Sequence, residues 1–167
     1  MKKRKLLITD LDGTLIETLS GDTFPKGIWD MKLKLYVFEA IKNYAPDDIL
    51  IISNQGGIEK GFVDKEMFEY KFDYISNALE DYTDISVSAY YCESNNKRNV
   101  NRKPNIGMIK EYMDFIEYMN NDEDEELMIG DASGKEGQFS DSDKKTAENF
   151  GCEYMDVDDF VYKYNNR

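Results

Sequence analysis

The stretch from Leu6 to Leu15, which reads LLITDLDGTL, constrains the fold of this chain more than any other. Residues Leu6 to Thr9 form a short, uninterrupted run of apolar and β-branched side chains, which is typical of a strand buried on both faces in a parallel sheet. This run leads into Asp10-Leu11-Asp12-Gly13-Thr14, where Gly13 permits a turn that other residues resist. Two carboxylates therefore follow the end of a central strand, which is where open α/β sheets bind their ligands.

Asp10 and Asp12 are spaced so that both side chains can serve one reaction centre. In an extended backbone, residues two apart point to the same side. One carboxylate could attack a substrate while the other moves protons, and the pair would also offer oxygen ligands to a hard cation such as Mg²⁺. A turn-forming Asp-Gly is the alternative without catalysis. A calcium loop is excluded, because its sixth residue should be glycine and is Leu15, and its twelfth should be glutamate and is Gly21.

The rest of the chain alternates apolar runs with amphipathic segments. The apolar runs predict strands at 5–9, 49–52, 85–91, 127–129 and 153–155. Helical spacing predicts helices at 31–44, 64–82 (with Asp64 as its cap), 106–119 and 142–150, and a short helix at the C-terminal end. A loop is predicted at 16–30, and a solvated acidic connection at 122–126. This alternation predicts one α/β domain over residues 1–167, with a doubly wound parallel sheet.

Composition excludes several classes of function. The chain has no histidine, which excludes Ser-His-Asp and Cys-His nucleophile systems and any zinc site that uses histidine. Its 21 basic and 34 acidic residues give a formal net charge of −13, which disfavours long contacts with nucleic acid. This charge does not exclude a small basic patch on the protein that recognises the end of a nucleic-acid strand. Cys92 and Cys152 lie far apart, and no signal peptide or membrane-spanning run is recognisable, so we expect a reduced, cytoplasmic location without membrane contact.

Polar residues follow several of the predicted strands. Ser53-Asn54-Gln55 follows the second strand, Asp131 follows the fourth, and Lys103 lies in the loop after the third. Because the carboxyl ends of parallel strands meet at one edge, these side chains can converge with Asp10. Ser53 could donate to a phosphate or cap a helix, Lys103 could neutralise a phosphoryl oxygen or lie on the surface, and Asp131 could hold Mg²⁺ or form a turn.

The DLDGTL string at 10–15 resembles the nucleophile motif of the haloacid dehalogenase-like (HAD) phosphatases. The chain resembles one branch more closely, the 3′-phosphatase domain of polynucleotide kinase/phosphatase enzymes. Five further motifs carry this resemblance: SGxxFP (20–25), SNQxGIxxG (53–61), NRKPxxGM (101–108), GDAxGK (130–135) and FSxSD (139–143). Asp30-Met31 departs from the Asp-Trp common in the family, and no P-loop kinase motif is present. The histidine-containing zinc loop of related sugar phosphatases cannot form in this chain.

The resemblance implies a HAD-like three-layer α/β/α fold, essentially without a cap, and a mechanism. Asp10 would attack phosphorus and form an aspartyl-phosphate, and Asp12 would protonate the leaving hydroxyl and then activate water. Ser53 and Lys103 would hold the transferring phosphoryl group. Mg²⁺ would be bound by Asp10, the Asp12 backbone carbonyl and Asp131. Asp143 is a further candidate ligand, directly or through water, with a charge at a helix N-terminus as its alternative.

The remaining site residues are expected to bind phosphate or substrate. They are Thr14, Asn54, Gln55, Arg102, Phe24 and Arg98. Lys97, Arg98 and Arg102 could contact a nucleic-acid backbone or belong to a solvated loop. Phe24 and Trp29 could stack on a terminal base, as could Tyr90 and Tyr91, although core packing is favoured for the two tyrosines.

Three functions remain open from the sequence. The first is a Mg²⁺-dependent phosphatase that removes 3′-phosphates from nucleic-acid ends during repair, acting as a monomer beside a separate kinase or ligase. The second is a small-molecule phosphomonoesterase on the same scaffold, which the acidic net charge favours. The third is a binding module without turnover, which the intact set of catalytic residues disfavours.

Overall fold

The computed structural model of the chain describes residues 3–23, 25–119 and 124–166. Within these residues, five strands pair side by side in one parallel sheet. The strands are β1 (Arg4–Thr9), β2 (Ile16–Glu17), β3 (Lys32–Leu33), β4 (Asp48–Asn54), β5 (Ser86–Cys92), β6 (Asp124–Gly130) and β7 (Glu153–Asp156). The helices are α1 (Leu35–Tyr44), α2 (Gly56–Glu59), α3 (Lys65–Thr83), α4 (Gly107–Met119), α5 (Ser142–Phe150) and α6 (Val157–Asn165). A 3₁₀ turn spans Ile28–Asp30. The sheet order is β5-β4-β1-β6-β7, and β2 and β3 form a separate antiparallel pair.

The central strand β1 explains why the sheet is covered on both faces. Ile8 pairs in register with Leu50 of β4 and with Met128 of β6. Leu7 packs in a core with α1, α3 and α6, whereas Leu6 and Ile8 pack in a second core with α4 and α5. Alternate side chains of a buried strand thus supply two apolar layers. The predicted three-layer α/β/α fold with a doubly wound parallel sheet is confirmed.

The boundaries of α3, α4 and α5 agree with the predictions to within one residue. Two helices differ: α2 (Gly56–Glu59) forms where the glycines at 56, 57 and 61 predict a loop, and α1 begins later than predicted. Asp64 caps α3 as predicted, since its side chain accepts a hydrogen bond from the Met67 N–H at 2.9 Å. The predicted start of the first helix at Met31 is wrong: Met31 is extended, and Leu33 of β3 pairs with Ile16 of β2. The backbone at 31–33 is therefore used in strand pairing, and the helix begins only at Leu35.

The predicted solvated connection at 122–126 is wrong over its described part. Residues 124–126 begin β6, and they pair with residues 4–6 of β1. Lys5 of β1 lies opposite Glu125, so the charges of the two strands are complementary at this end of the sheet. Residues 122 and 123 lie outside the described residues.

The strand order places a crevice beside the end of β1. The chain passes from β1 through β4 to β5 on one side, and then returns to β6 and β7 on the other. Such a change of direction leaves a crevice at the carboxyl ends of the central strands. Among the described residues, no helix is long and apolar enough to cross a membrane, and both cysteines are free thiols.

Candidate active site

The polar residues that follow the central strands converge on one cavity, as predicted. The cavity has a volume of about 900 Å³ and opens to solvent. The Asp10 N–H donates to the Ile129 carbonyl at 3.2 Å, which continues the β1–β6 pairing and fixes Asp10 at the end of the sheet. The cavity brings together nine of the predicted site residues: Asp10, Asp12, Ser53, Asn54, Gln55, Arg102, Lys103, Asp131 and Asp143.

Lys103 lies at the centre of a buried charge cluster. Its Nζ is 2.7 Å from Oδ1 of Asp10 and 2.7 Å from Oδ1 of Asp143. Lys103 is 5% exposed and Asp143 is fully buried, so these ion pairs are shielded from water. Burial alone would lower the pKa of Lys103, but the two carboxylates raise it above its usual range, so the ammonium stays charged.

Burial also affects the two acids of this cluster. It raises the pKa of Asp10 to about 6, although the Lys103 charge opposes the shift. Burial, together with the charge of Asp10, likewise raises the pKa of Asp143 to about 6. Both acids are therefore charged at neutral pH, and Asp10 is a desolvated carboxylate.

Asn54 positions Lys103 through its backbone. The Asn54 Nδ2 donates to the Lys103 carbonyl at 3.0 Å, and the Lys103 N–H donates to Asn54 Oδ1 at 2.9 Å. Asn54 was predicted to bind substrate, and it does line the cavity, but its amide is engaged by these two bonds. Its contacts indicate that it holds the lysine loop against the end of β4.

Gln55 orients Asp12 toward the cavity. Its Nε2 donates to Asp12 Oδ2 at 2.7 Å and to the Ser53 hydroxyl at 2.8 Å. The other oxygen of Asp12, Oδ1, is buried and has no hydrogen-bond partner among the described residues. The Ser53 hydroxyl accepts from Gln55 and has no other hydrogen bond within the described residues, so its own hydrogen remains available to donate. Asp12 therefore has one oxygen that is fixed and one that is free for proton transfer.

Asp131 and two glycines form a pocket that suits a cation. Asp10, Asp131 and Asp143 each offer one oxygen, and these atoms lie within 4.8 Å of one another. Oδ1 of Asp131 is buried, and no atom in the described part of the chain forms a hydrogen bond with it. A Cβ at Gly13 would collide with the Asp131 carboxylate, and a Cβ at Gly130 would lie 2.7 Å from Cγ of Asp143. A hard divalent cation prefers such a set of carboxylate oxygens, so the residues present fit Mg²⁺.

The third acid, Asp143, already has hydrogen-bond partners in the protein. Its Oδ1 accepts from Lys103, and its Oδ2 accepts from the Ala132 N–H at 3.1 Å. The Asp143 N–H in turn donates to the Ala132 carbonyl at 3.2 Å. Asp143 lies in the first turn of α5, which agrees with the alternative of a charge at a helix N-terminus, and its main side-chain contact is Lys103. Its role as a metal ligand stays a prediction.

Some of the residues predicted to bind substrate line the cavity, and others do not. Thr14 is fully buried and does not line the cavity. Arg98 is exposed and is also absent from the cavity lining, whereas Arg102 lines it and donates to the Ser94 carbonyl at 3.0 Å. Phe24 lies outside the described residues. Tyr91 packs edge-on against Phe68 and Phe72, in agreement with the core-packing alternative.

The cavity also contains residues that the sequence did not single out. Lys71 of α3 lines it although the residue is only 6% exposed, and burial lowers its pKa. Phe62 and Phe139 line it as well and are 83% and 69% exposed. One signal was available for Lys71, since it lies on the same helical face as Phe68 and Ile75, which belong to the core.

Comparisons with known proteins identify the family of this chain. A family model described as polynucleotide kinase 3 phosphatase matches residues 5–161. An uncharacterized 20.8 kDa protein of Autographa californica nuclear polyhedrosis virus is 27% identical over 96% of this chain and 87% of its own length. The bifunctional polynucleotide phosphatase/kinase of Schizosaccharomyces pombe is 31% identical over 95% of this chain but only 38% of its own length.

A solved structure has the same fold. The D,D-heptose 1,7-bisphosphate phosphatase of B. bronchiseptica, complexed with magnesium and phosphate, superposes with a TM-score of 0.64 at 22% identity and covers 90% of this chain and 78% of its own. The family match spans all five strands of the sheet and each acid of the cluster. The chain therefore belongs to the polynucleotide kinase 3 phosphatase family and is a phosphatase of the HAD type.

Proposed function

We propose that this chain is a Mg²⁺-dependent phosphomonoesterase that removes 3′-phosphates from nucleic-acid ends. The observation that carries the proposal is the buried pair of Asp10 and Lys103 at the base of an open cavity, in a chain of this family. A carboxylate that is desolvated beside a fixed ammonium is suited to attack phosphorus, because its negative charge is offset where the phosphate must approach.

The reaction has two steps on one carboxylate. In the first, an oxygen of Asp10 forms a bond to phosphorus while the bond from phosphorus to the 3′ oxygen breaks. Asp12, in its protonated form, gives its proton to the leaving oxygen. In the second, Asp12 takes a proton from water, the water oxygen bonds to phosphorus, and the Asp10–phosphorus bond breaks. The products are a 3′-hydroxyl and inorganic phosphate.

Other side chains compensate the charge of the phosphoryl group. Lys103 is held 2.7 Å from Asp10 and can pair with a phosphoryl oxygen without reorganising. The Ser53 hydroxyl can donate a second hydrogen bond. Asp10, Asp131 and the Asp12 backbone carbonyl would hold Mg²⁺, which supplies further charge compensation between the anionic nucleophile and the anionic substrate. Gln55 and Asn54 position Asp12 and Lys103, respectively.

The shape of the cavity supports a polymer end as the substrate. Between β1 and α1, the described residues contain only two short strands and a 3₁₀ turn, so this segment has no domain-sized lid. Asp30 is fully buried and fixes the segment by accepting hydrogen bonds from Ser20 and from the Lys26 N–H. The cavity is also lined by cations although the chain carries a net charge of −13. These lining cations are Lys26, Lys60, Lys71, Arg102 and Lys103.

A small phosphate monoester is the second candidate substrate. Its support is the fold shared with the heptose bisphosphate phosphatase, together with the strongly negative net charge, which repels a long polyanion. The two candidates use the same chemistry at Asp10. The two candidate functions are distinguished by whether the nucleic-acid end or the small phosphate monoester is hydrolysed with the higher kcat/KM.

We also propose the setting in which the activity operates. The two free cysteines are compatible with a reduced compartment, and we place the protein in the cytoplasm. The relative from Schizosaccharomyces pombe is named as a bifunctional phosphatase/kinase, so a kinase or a ligase is the natural partner for ends with a restored 3′-hydroxyl. We propose that the chain acts on these ends as a monomer.

Phosphate release from a matched panel tests the proposal. The panel contains a 3′-phosphorylated oligonucleotide, the same oligonucleotide with a 5′-phosphate, a 3′-mononucleotide, a sugar phosphate and an aryl phosphate, each with Mg²⁺ or a chelator. We expect the 3′-phosphorylated oligonucleotide to be preferred, Asp10→Asn to abolish release, and Asp73→Asn, an exposed site on α3, to retain it. A preference for the sugar phosphate would contradict the nucleic-acid substrate, and release by Asp10→Asn would contradict the nucleophile.

A further inference from the structure

Lys71 is a buried cation that the proposed mechanism does not use. It projects from α3 into the wall of the cavity and is 6% exposed. Its Nζ lies 5.3 Å from the centre of the Phe68 ring, so the aromatic face holds the ammonium in place. An ammonium in this position has lost most of its contact with water, which is costly unless an anion replaces the water.

The protein itself does not supply that anion. Among the described residues, no carboxylate forms an ion pair or hydrogen bond with Lys71. Burial lowers the pKa of Lys71, and only the charge of Asp12 opposes this within the described part of the chain. By contrast, Lys103 has two carboxylates at 2.7 Å. Lys71 is thus a desolvated cation that faces a cavity in which an anionic substrate binds.

The position of Lys71 relative to Asp12 indicates which anion it meets. Asp12 is the group that protonates the leaving oxygen, so it marks the side of the phosphoryl group on which the rest of the substrate lies. Lys71 lines the same cavity as Asp12 and lies within range of its charge, so we infer that it lies near this leaving-group side. Lys103, which pairs with Asp10, is already in place to compensate the transferring phosphoryl group.

We propose that Lys71 binds a second phosphate of the substrate, on the leaving-group side of the reacting phosphate. This inference rests on the proposed phosphatase function. In a nucleic acid, the second phosphate is the phosphodiester that precedes the terminal nucleotide. In a small molecule, it is the other phosphate of a bisphosphate. In both cases, Lys71 selects substrates with two phosphates over those with one, and it does so in binding rather than in the chemical step.

Steady-state kinetics of the full chain with Mg²⁺ test this inference. The substrates are a 3′-phosphorylated dinucleotide, which has one internal phosphodiester, and the 3′-mononucleotide, which has none. The variants are Lys71→Met, which keeps the apolar stem over Phe68, and Lys71→Arg, which keeps the charge. Lys110→Met, at an exposed site on α4, is the control for the loss of one charge. Thermal unfolding of each variant verifies that it is folded.

We expect Lys71→Met to raise KM for the dinucleotide by about tenfold, the loss of one charge-assisted hydrogen bond, with little change in kcat. The mononucleotide kinetics should not change, Lys71→Arg should restore most of the affinity, and Lys110→Met should behave as wild type. An equal loss on both substrates would overturn the inference, because Lys71 would then act at the reacting phosphate. Unchanged kinetics with both substrates would also overturn it and leave Lys71 a packing residue.

A separate pair of substrates distinguishes failure of the inference from failure of the proposed function. If the wild-type chain hydrolyses a sugar bisphosphate but neither nucleotide, the nucleic-acid function is wrong. The Lys71 site then stands only if Lys71→Met raises KM for the sugar bisphosphate and leaves the matching sugar monophosphate unchanged. An equal effect on these two sugars, or none on either, would contradict the second-phosphate site as well.

Discussion

Replacing Asp143 with asparagine tests how strongly the buried ion pairs hold the site together. Oδ1 of Asp143 accepts from Lys103 Nζ at 2.7 Å, and Oδ2 accepts from the Ala132 N–H at 3.1 Å. An asparagine amide has one oxygen and one NH₂ group, so in either orientation the NH₂ faces another donor. The variant therefore leaves a buried donor unpaired and removes one of the two negative charges that face Lys103.

The magnitude follows from the burial of this cluster. A buried donor without a partner costs about 1–3 kcal/mol of unfolding free energy. Removing one member of a buried ion pair costs about 3–5 kcal/mol. Because Asp10 still pairs with Lys103, we expect a loss of about 3 kcal/mol. For a chain of this length, that lowers the thermal midpoint by about 6–12 °C. Displacement of the Lys103 ammonium should also lower kcat by about a hundredfold.

Urea denaturation, thermal unfolding and steady-state kinetics measure these effects. Asp159→Asn is the matched control, because Asp159 pairs with Lys135 at a similar 2.8 Å but is 63% exposed at its side chain. We expect the control to lose less than about 1 kcal/mol. If Asp143→Asn unfolds at the same urea concentration as Asp159→Asn, the buried cluster does not stabilise the fold and the reasoning is refuted. A wild-type kcat would refute the positioning of Lys103.

Three further predictions follow from the same contacts. Gly130→Ala should lower stability by about 2 kcal/mol, because the new Cβ would lie 2.7 Å from Cγ of Asp143; wild-type stability in urea would contradict this. Asn54→Ala should lower kcat by about tenfold, because both hydrogen bonds that hold the Lys103 backbone are lost; an unchanged kcat in steady-state kinetics would argue against it. In the metal-free protein, burial raises the pKa of Asp10 from 3.8 to about 6. The folded state therefore binds the Asp10 proton more tightly than the unfolded state does, and the free energy of unfolding falls as the pH rises between these two values. Thermal unfolding in a chelator should therefore show Asp10→Asn gaining stability relative to wild type as the pH rises from about 4 to about 6; a constant or shrinking difference would be the opposite of this expectation.

The strand ends of the site could be predicted from the sequence because they depend on short-range patterns. The run Leu6 to Thr9 is branched and uninterrupted, so it predicts a buried strand and places Asp10 at its end. Ser53 and Asp131 follow from the same argument at β4 and β6. The parallel order of the strands then brings these residues to one edge without any knowledge of side-chain contacts.

Other features depend on tertiary contacts that no local pattern contains. The role of Asp143 was ambiguous, because an acid in the first turn of a helix is common, and only the fold places it 2.7 Å from Lys103. In the sequence, Lys71 cannot be distinguished from an ordinary helix residue, and only the packing of α3 shows that it lines the cavity. The predicted start of α1 is wrong because Leu33 pairs with Ile16 across a loop. The periodicity of apolar residues does not predict such a contact.

Trapping of the phosphorylated protein tests whether Asp10 is the nucleophile. A 3′-phosphorylated oligonucleotide with radiolabel in the terminal phosphate is mixed with the chain and Mg²⁺, quenched in acid within one turnover and digested for mass spectrometry. We expect label on the peptide that contains Asp10, and we expect this label to be removed by hydroxylamine and to be absent in Asp10→Asn. Rapid release of labelled phosphate with no labelled protein at any time, or label on another residue, would contradict it.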